Sequence, residues 1–184
     1  DQIIDLHRPI VEDSKIEIIT SKSPSAQEIL LHSTAHLLAQ AIKENYPSAK
    51  IAIGPALKET FYYDIDLDIP LNEEALSGLE KTMKKITKQN LEIYREELSK
   101  KEALDLFKKK QEDYKIEIIN EIDNDDLISV YKQGDFIDLC RGPHIPSTGK
   151  IKYFKLLSIA GAYWRGDEKN KMLQRIYGTS WFTK

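Results

Sequence analysis

The chain has 184 residues, 41% of them hydrophobic and 31% charged, with a formal net charge of −3. That size and balance describe a globular protein with room for one real core, or for one domain plus pieces of its neighbours. A net negative charge excludes a surface given over wholly to nucleic acid, so any RNA contact must be local.

No apolar run approaches the roughly 20 residues that a membrane span needs. The first residues have neither the basic nor the apolar region of a signal peptide, and the single cysteine cannot form an internal disulfide. A reducing cytoplasm is the expected location, with no membrane partner.

In chain order, residues 1–20 read as two short strands joined by a turn, which is too little for a domain and suggests the end of one lying upstream. Ser25, with Glu28 three residues on, has the form of a capping box and opens a helix expected to run to Asn45, ahead of Pro47. On that helix Leu30, Leu31, Leu37, Leu38, Ala41 and Ile42 make one apolar stripe. His32 and His36 project together from nearly the opposite side.

The run T-F-Y-Y-D-I-D-L-D alternates Phe61, Tyr63, Ile65 and Leu67 with Tyr62, Asp64, Asp66 and Asp68, the pattern of a half-buried strand with an acidic outer face. Asn72 opens a helix on Leu76, Leu79, Met83 and Ile86, and a strand is expected near Leu91 to Leu98. Ser99 with Glu102 forms another capping box, for a helix to about Gln111. Lysine clusters at Lys84 to Lys88 and Lys108 to Lys110 read as solvated helix faces.

Four strands are expected in the last third: Y-K-I-E-I-I, L-I-S-V-Y, F-I-D-L-C and Y-F-K-L-L-S. Helices and strands are interspersed without a regular strand–helix repeat. The expected class is α+β, a largely antiparallel sheet packed with helices, one long helix carrying H-x-x-x-H. The closing N-K-M-L-Q-R-I-Y-G-T-S-W-F reads as the first elements of a further domain.

Two histidines four apart on one helix face, with Cys140 and His144 four apart in D-L-C-R-G-P-H, match a four-ligand site for a soft metal in residue type and spacing. The first motif lacks the adjacent glutamate of H-E-x-x-H, which excludes a metalloprotease for want of its general base. A purely structural reading competes, with hydrogen-bonded histidines and an inert buried cysteine. Asp138, Cys140 and His144 crowd a stretch that Gly142 and Pro143 force to turn, and sites gather at such turns. Taken alone, Lys115 reads as a solvent-facing lysine on a strand, opposite Ile116, and Tyr63 as core packing.

The blocks H-S-T-A-H-L-L-A-Q-A-I, A-I-G-P, F-Y-Y-D, Y-K-I, D-L-C-R-G-P-H and A-G-A-Y-W-R-G-D, in this order, resemble the editing domain of bacterial-type threonyl-tRNA synthetases across roughly residues 25–165. The resemblance extends to the flanks and implies three parts. Residues 1–22 would be the remnant of an upstream ubiquitin-like (TGS) domain, 23–166 the editing domain, and 167–184 the start of a class II catalytic domain. Editing domains of alanyl-tRNA synthetases and their free-standing relatives share H-x-x-x-H and C-x-x-x-H. A-G-A-Y-W-R-G-D and M-L-Q-R-I-Y-G-T favour the threonyl branch.

The implied reaction is hydrolysis of seryl-tRNA(Thr). Serine differs from threonine by one methyl, worth only about 1–3 kcal/mol of binding discrimination, so a second site that excludes the methyl is needed for accuracy. By the same resemblance His32 and Lys115 are the catalytic residues, and Asp138, His144, Tyr63, His36 and Cys140 bind the substrate.

No cofactor is expected, since the alanyl branch uses zinc and the threonyl branch is described as working without it; if zinc is bound, its ligands are His32, His36, Cys140 and His144. The implied partners are the acceptor end of tRNA(Thr) carrying serine and the remaining domains of the synthetase. The three motifs of a class II ATP site are absent from these residues, so aminoacylation is not expected of them. Two alternatives stand beside this reading: a deacylase of another mischarged tRNA, of alanyl type, and a non-catalytic zinc- or RNA-binding module.

Overall fold

The computed structural model describes residues 2–123 and 126–183. The outermost residues of the two expected end pieces, Asp1 and Lys184, lie outside that range. The architecture is α+β, and every strand pair among the described residues is antiparallel.

The long helix α1 spans Ala26–Asn45. Strands β1 (Lys50–Ile51), β2 (Phe61–Asp66), β6 (Tyr153–Tyr163) and β7 (Met172–Trp181) form a sheet in the order β1-β2-β7-β6. Helix α2 (Glu73–Gln89) packs beside α1, and Leu79, Met83 and Ile86 join Leu37, Leu38, Phe61 and Ile65 in the main core.

A second sheet, β3 (Ile93–Leu98), β4 (Ile128–Gln133) and β5 (Phe136–Leu139), packs with helices α3 (Lys100–Lys109) and α4 (Asp113–Asn120) around Ala103, Phe107, Ile119, Val130 and Ile137. Two of the expected helix starts form as read. The Asn72 side chain accepts from the Ala75 N–H, and Ser99 and Glu102 make the reciprocal capping box.

Five expectations are corrected. Residues 1–20 form no strand; Leu6, Val11, Ile16 and Ile18 are exposed, because a lone two-stranded piece finds no sheet here to pair with. Ser25 makes no side-chain cap bond: with φ −76° and ψ −13° it already has helical geometry, whereas a capping side chain works from an extended residue.

Y-K-I-E-I-I is not a strand but most of α4, where Lys115 and Ile119, one helical turn apart, are both buried. The outer face of β2 is not simply acidic and solvated: Asp64 is buried and receives two hydrogen bonds from Arg175, both 2.7 Å, across the β2–β7 pair.

Residue 166 lies between β6 and β7, and β7, Met172–Trp181, pairs with both β2 and β6 in this sheet.

α1 also differs from its expected one-sided stripe. Ser33, Thr34, His36 and Gln40 are buried along with the leucines, because the first sheet and α2 cover one side and the β4–β5 hairpin with its following loop covers the histidine side.

Candidate functional site

All seven residues singled out in the sequence come together where α1 meets the end of β5. His32 and His36 come from α1, Tyr63 from β2, Lys115 from α4, Asp138 from β5, and Cys140 and His144 from the loop that leaves β5. Gly142 makes the turn of that loop at φ 74°, and a Cβ there would lie 1.8 Å from the Tyr131 hydroxyl oxygen, so the backbone can pass only without a side chain.

The three imidazoles form one cluster, with ring centroids 5.0 Å apart for His32–His36, 4.5 Å for His32–His144 and 4.3 Å for His36–His144. Cys140 Sγ sits 2.9 Å from His32 Nε2 and 3.3 Å from His144 Nε2, and it accepts from the Gly142 N–H at 3.2 Å. One set of proton positions satisfies every group. The Ser33 hydroxyl, which accepts from the Ile145 N–H, donates to His144 Nδ1; His144 Nε2–H donates to Cys140 Sγ; the thiol S–H donates to His32 Nε2.

Beside this cluster lies a buried ion pair. Lys115, 2% exposed, donates from Nζ to Asp138 Oδ1 at 2.6 Å and to the Tyr63 hydroxyl at 3.1 Å. That hydroxyl donates to Asp138 Oδ2 at 2.5 Å, and the Leu139 N–H donates to Oδ1 at 2.8 Å. His36 Nδ1 lies 3.7 Å from Asp138 Oδ2 and so joins the two halves of the site.

Tyr63 serves the core with its ring and the site with its hydroxyl. The ring packs over the bare Cα of Gly54, where a Cβ would come within 2.1 Å of it.

Burial sets the protonation states. It lowers the pKa of His32 and pushes those of His36 and His144 well below the ordinary value; for His32 the nearby Asp138 carboxylate opposes the shift, and for the other two the neighbouring imidazoles add to it. All three rings are therefore neutral at pH 7. Burial also pushes the Cys140 thiol up to about 12, so it is a thiol and not a thiolate. Tyr63 is held well above the usual phenol range by burial first and by the Asp138 carboxylate second.

These shifts make acid destabilising. As pH falls below about 6.5 the unfolded chain protonates its histidines before the folded one can. The stabilisation from a buried neutral ring is thus complete above that value and is lost by up to about 1.4 kcal/mol per pH unit and per histidine below it. Urea midpoints are expected to fall between pH 7.5 and 5.5, with a smaller fall in His36→Gln; identical midpoints would remove the argument.

His32, His36, Cys140 and His144 also suit a metal. Their donor atoms all lie within 4.8 Å of one another, and Ser33 behind His144 and Asp138 behind His36 are the outer partners that metal-bound imidazoles take. The donor set, imidazoles with one thiol, fits zinc.

Sequence reading missed four contributors. Ser33 lay within H-S-T-A-H but looked like spacer. Gly54 acts through its lack of a Cβ, which lets the Tyr63 ring lie over it. Gln133, itself bonded to Gln40, donates to the His36 carbonyl, and Asp5 accepts from the His144 N–H and the Tyr131 hydroxyl. None carries a local pattern that singles it out; Ser33, one residue from His32, had the nearest thing to a signal.

The family described as threonyl and alanyl tRNA synthetase second additional domain matches residues 128–177, a stretch that runs from β4 through most of β7 and across residue 166. Over 184 residues, 100% of its length, the chain is 56% identical to the threonine–tRNA ligases of Anoxybacillus flavithermus and of a Geobacillus species. Against the threonine–tRNA ligase of Clostridium tetani the identity is 55% over 183 residues. The chain spans 29% of the length of each of these relatives. Residues 128–177 thus match the threonyl and alanyl tRNA synthetase second additional domain, and the chain as a whole is similar, from end to end, to one stretch of the threonine–tRNA ligases.

Proposed function

We propose that the chain hydrolyses the ester of seryl-tRNA(Thr), releasing serine and free tRNA, as the editing part of a threonyl-tRNA synthetase. The observation that carries this reading is the buried Lys115–Asp138–Tyr63 triangle set beside an imidazole that is neutral at pH 7. The acceptor end of tRNA(Thr) carrying serine is the substrate partner, and the remaining domains of the synthetase are the covalent ones.

His32 and Cys140 are the partly exposed members of the histidine–cysteine set, so the ester and its water enter from their side. A water at His32 displaces only the weak thiol donor from Nε2. Its oxygen attacks the ester carbonyl carbon as its proton passes to Nε2, and the tetrahedral oxyanion is met by the third N–H of Lys115, the one not used by Asp138 or Tyr63. Collapse breaks the bond to the ribose oxygen, which takes the proton back from His32. Cys140, protonated, is a poor nucleophile, which favours direct attack by water over an acyl-enzyme.

Asp138 keeps a lone pair for the amino acid's ammonium group, and His144, on releasing the Cys140 sulfur, turns its Nε2–H to the hydroxyl. His36 and Tyr63 shape the wall against which a threonine methyl would collide. Held by His32, His36, Cys140 and His144, a zinc ion would have four protein ligands, and it would supply Lewis-acid polarisation of the carbonyl only where one of them gave way. The proposed hydrolysis uses the protein's own side chains.

Single-turnover deacylation tests the reading, with seryl-tRNA(Thr), threonyl-tRNA(Thr) and seryl-tRNA(Ala) compared with and without chelator, alongside elemental analysis. Seryl-tRNA(Thr) is expected to react at least about tenfold faster than the threonyl ester, with chelator making no difference. Preference for seryl-tRNA(Ala) would turn the assignment toward the alanyl branch. Stoichiometric zinc, unfolding on chelation and no turnover would make the chain a binding module instead.

A further inference from the structure

Glu112 is a buried carboxylate that the hydrolysis above does not use. It is 3% exposed and stands immediately before α4. Both of its oxygens are taken: Oε1 accepts from the Lys43 ammonium at 2.7 Å, and Oε2 accepts from the Ile51 N–H at 2.9 Å. Lys43, near the end of α1, also donates to the Ala49 carbonyl at 2.7 Å. The Glu112 backbone carbonyl in turn accepts from the N–H groups of Lys115 and Ile116, both at 3.1 Å. One residue thus ties α1, β1 and the first turn of α4 together.

α4 needs such a tie. It has eight residues and no side-chain cap at its start, and a helix that short holds no position on its own. Lys115 sits in its first turn, so any slip of that turn moves the ammonium away from Asp138. A displacement of about 1 Å at a catalytic group costs on the order of a hundredfold in rate.

Burying a carboxylate is costly unless it is fully partnered, and every partner here lies on an element that frames the site. We propose that Glu112 is a positioning residue for Lys115: the Lys43–Glu112–Ile51 junction fixes the start of α4 and thereby the place where the ammonium meets the reacting ester. This rests on the reading of Lys115 as a catalytic group.

The test is a double-mutant cycle in single-turnover hydrolysis of seryl-tRNA(Thr), using Glu112→Gln, Lys115→Ala and the pair. Glutamine has the same shape and can still accept from Ile51, but it no longer pairs with the Lys43 charge. The saturating rate constant is expected to fall about tenfold or more in Glu112→Gln, with the half-saturating concentration changed less than about threefold. In the Lys115→Ala background the same change should cost less than about twofold.

General loosening of the fold would instead lower the rate by the same factor in both backgrounds, and that result overturns the proposal. So does an unimpaired Glu112→Gln. Lys43→Met, at a partly exposed position, reaches the same junction from the other side and carries the same expectation if Glu112→Gln does not fold. A Lys115→Ala protein that hydrolyses at the wild-type rate would instead overturn the underlying role of Lys115.

Discussion

Lys115→Ala is expected to slow the hydrolysis of seryl-tRNA(Thr) by at least about tenfold, and by more if oxyanion stabilisation is its main role. The fold should survive. Asp138 would keep the Tyr63 hydroxyl at 2.5 Å and the Leu139 N–H at 2.8 Å, so the carboxylate loses one of three hydrogen-bonded partners. What disappears is the buried Lys115 ammonium beside Asp138 and Tyr63. The check is a single-turnover rate with a circular dichroism spectrum of the same sample; an unchanged rate with an unchanged spectrum would take Lys115 out of the chemistry.

Asp138→Ala should do something different, because the pair is not symmetric. Removing the carboxylate leaves the buried Lys115 ammonium with the Tyr63 oxygen alone, strands the Leu139 N–H, and takes the acceptor from the Tyr63 hydroxyl. Breaking a buried pair from one side costs about 3–5 kcal/mol. For a chain of this size that is a fall in melting temperature of about 6–20 °C, with loss of hydrolysis.

Asp138→Asn, which keeps an acceptor for Leu139, should recover part of the stability. Lys155→Ala, which removes an exposed partner of Glu80, is the contrast and should cost less than about 1 kcal/mol. Equal melting temperatures for Asp138→Ala and Lys155→Ala would refute the asymmetry.

The two members of the pair were unequally legible beforehand. Asp138 lies in F-I-D-L-C, which reads as a strand and is one, so its place next to Cys140 followed from the chain. Lys115 lies in Y-K-I-E-I-I, whose β-branched residues favour a strand locally and alternate with polar ones. The same residues put Lys115 and Ile119 on one face of a helix, and the packing of α4 against α3 selects that alternative. Without the family resemblance nothing marked this lysine among the others.

The place of the closing stretch has a similar cause: only the pairing of Met172–Trp181 with both β2 and β6 says which sheet owns it. The helices were read best, since Asn72, Ser99 and the recurrence of leucine are signals carried within a few residues.

By itself the sequence determined the α+β class, the helix that carries His32 and His36, and the residue types gathered for a site, because each is written in local periodicity, caps or a motif. Tertiary structure alone decided that Lys115 is helical and buried, that Glu112 anchors it, that Gly54 makes room for Tyr63, and that the imidazoles are neutral. Those properties depend on distances between residues far apart in the chain and on exclusion of water, and neither is encoded in any short stretch of it.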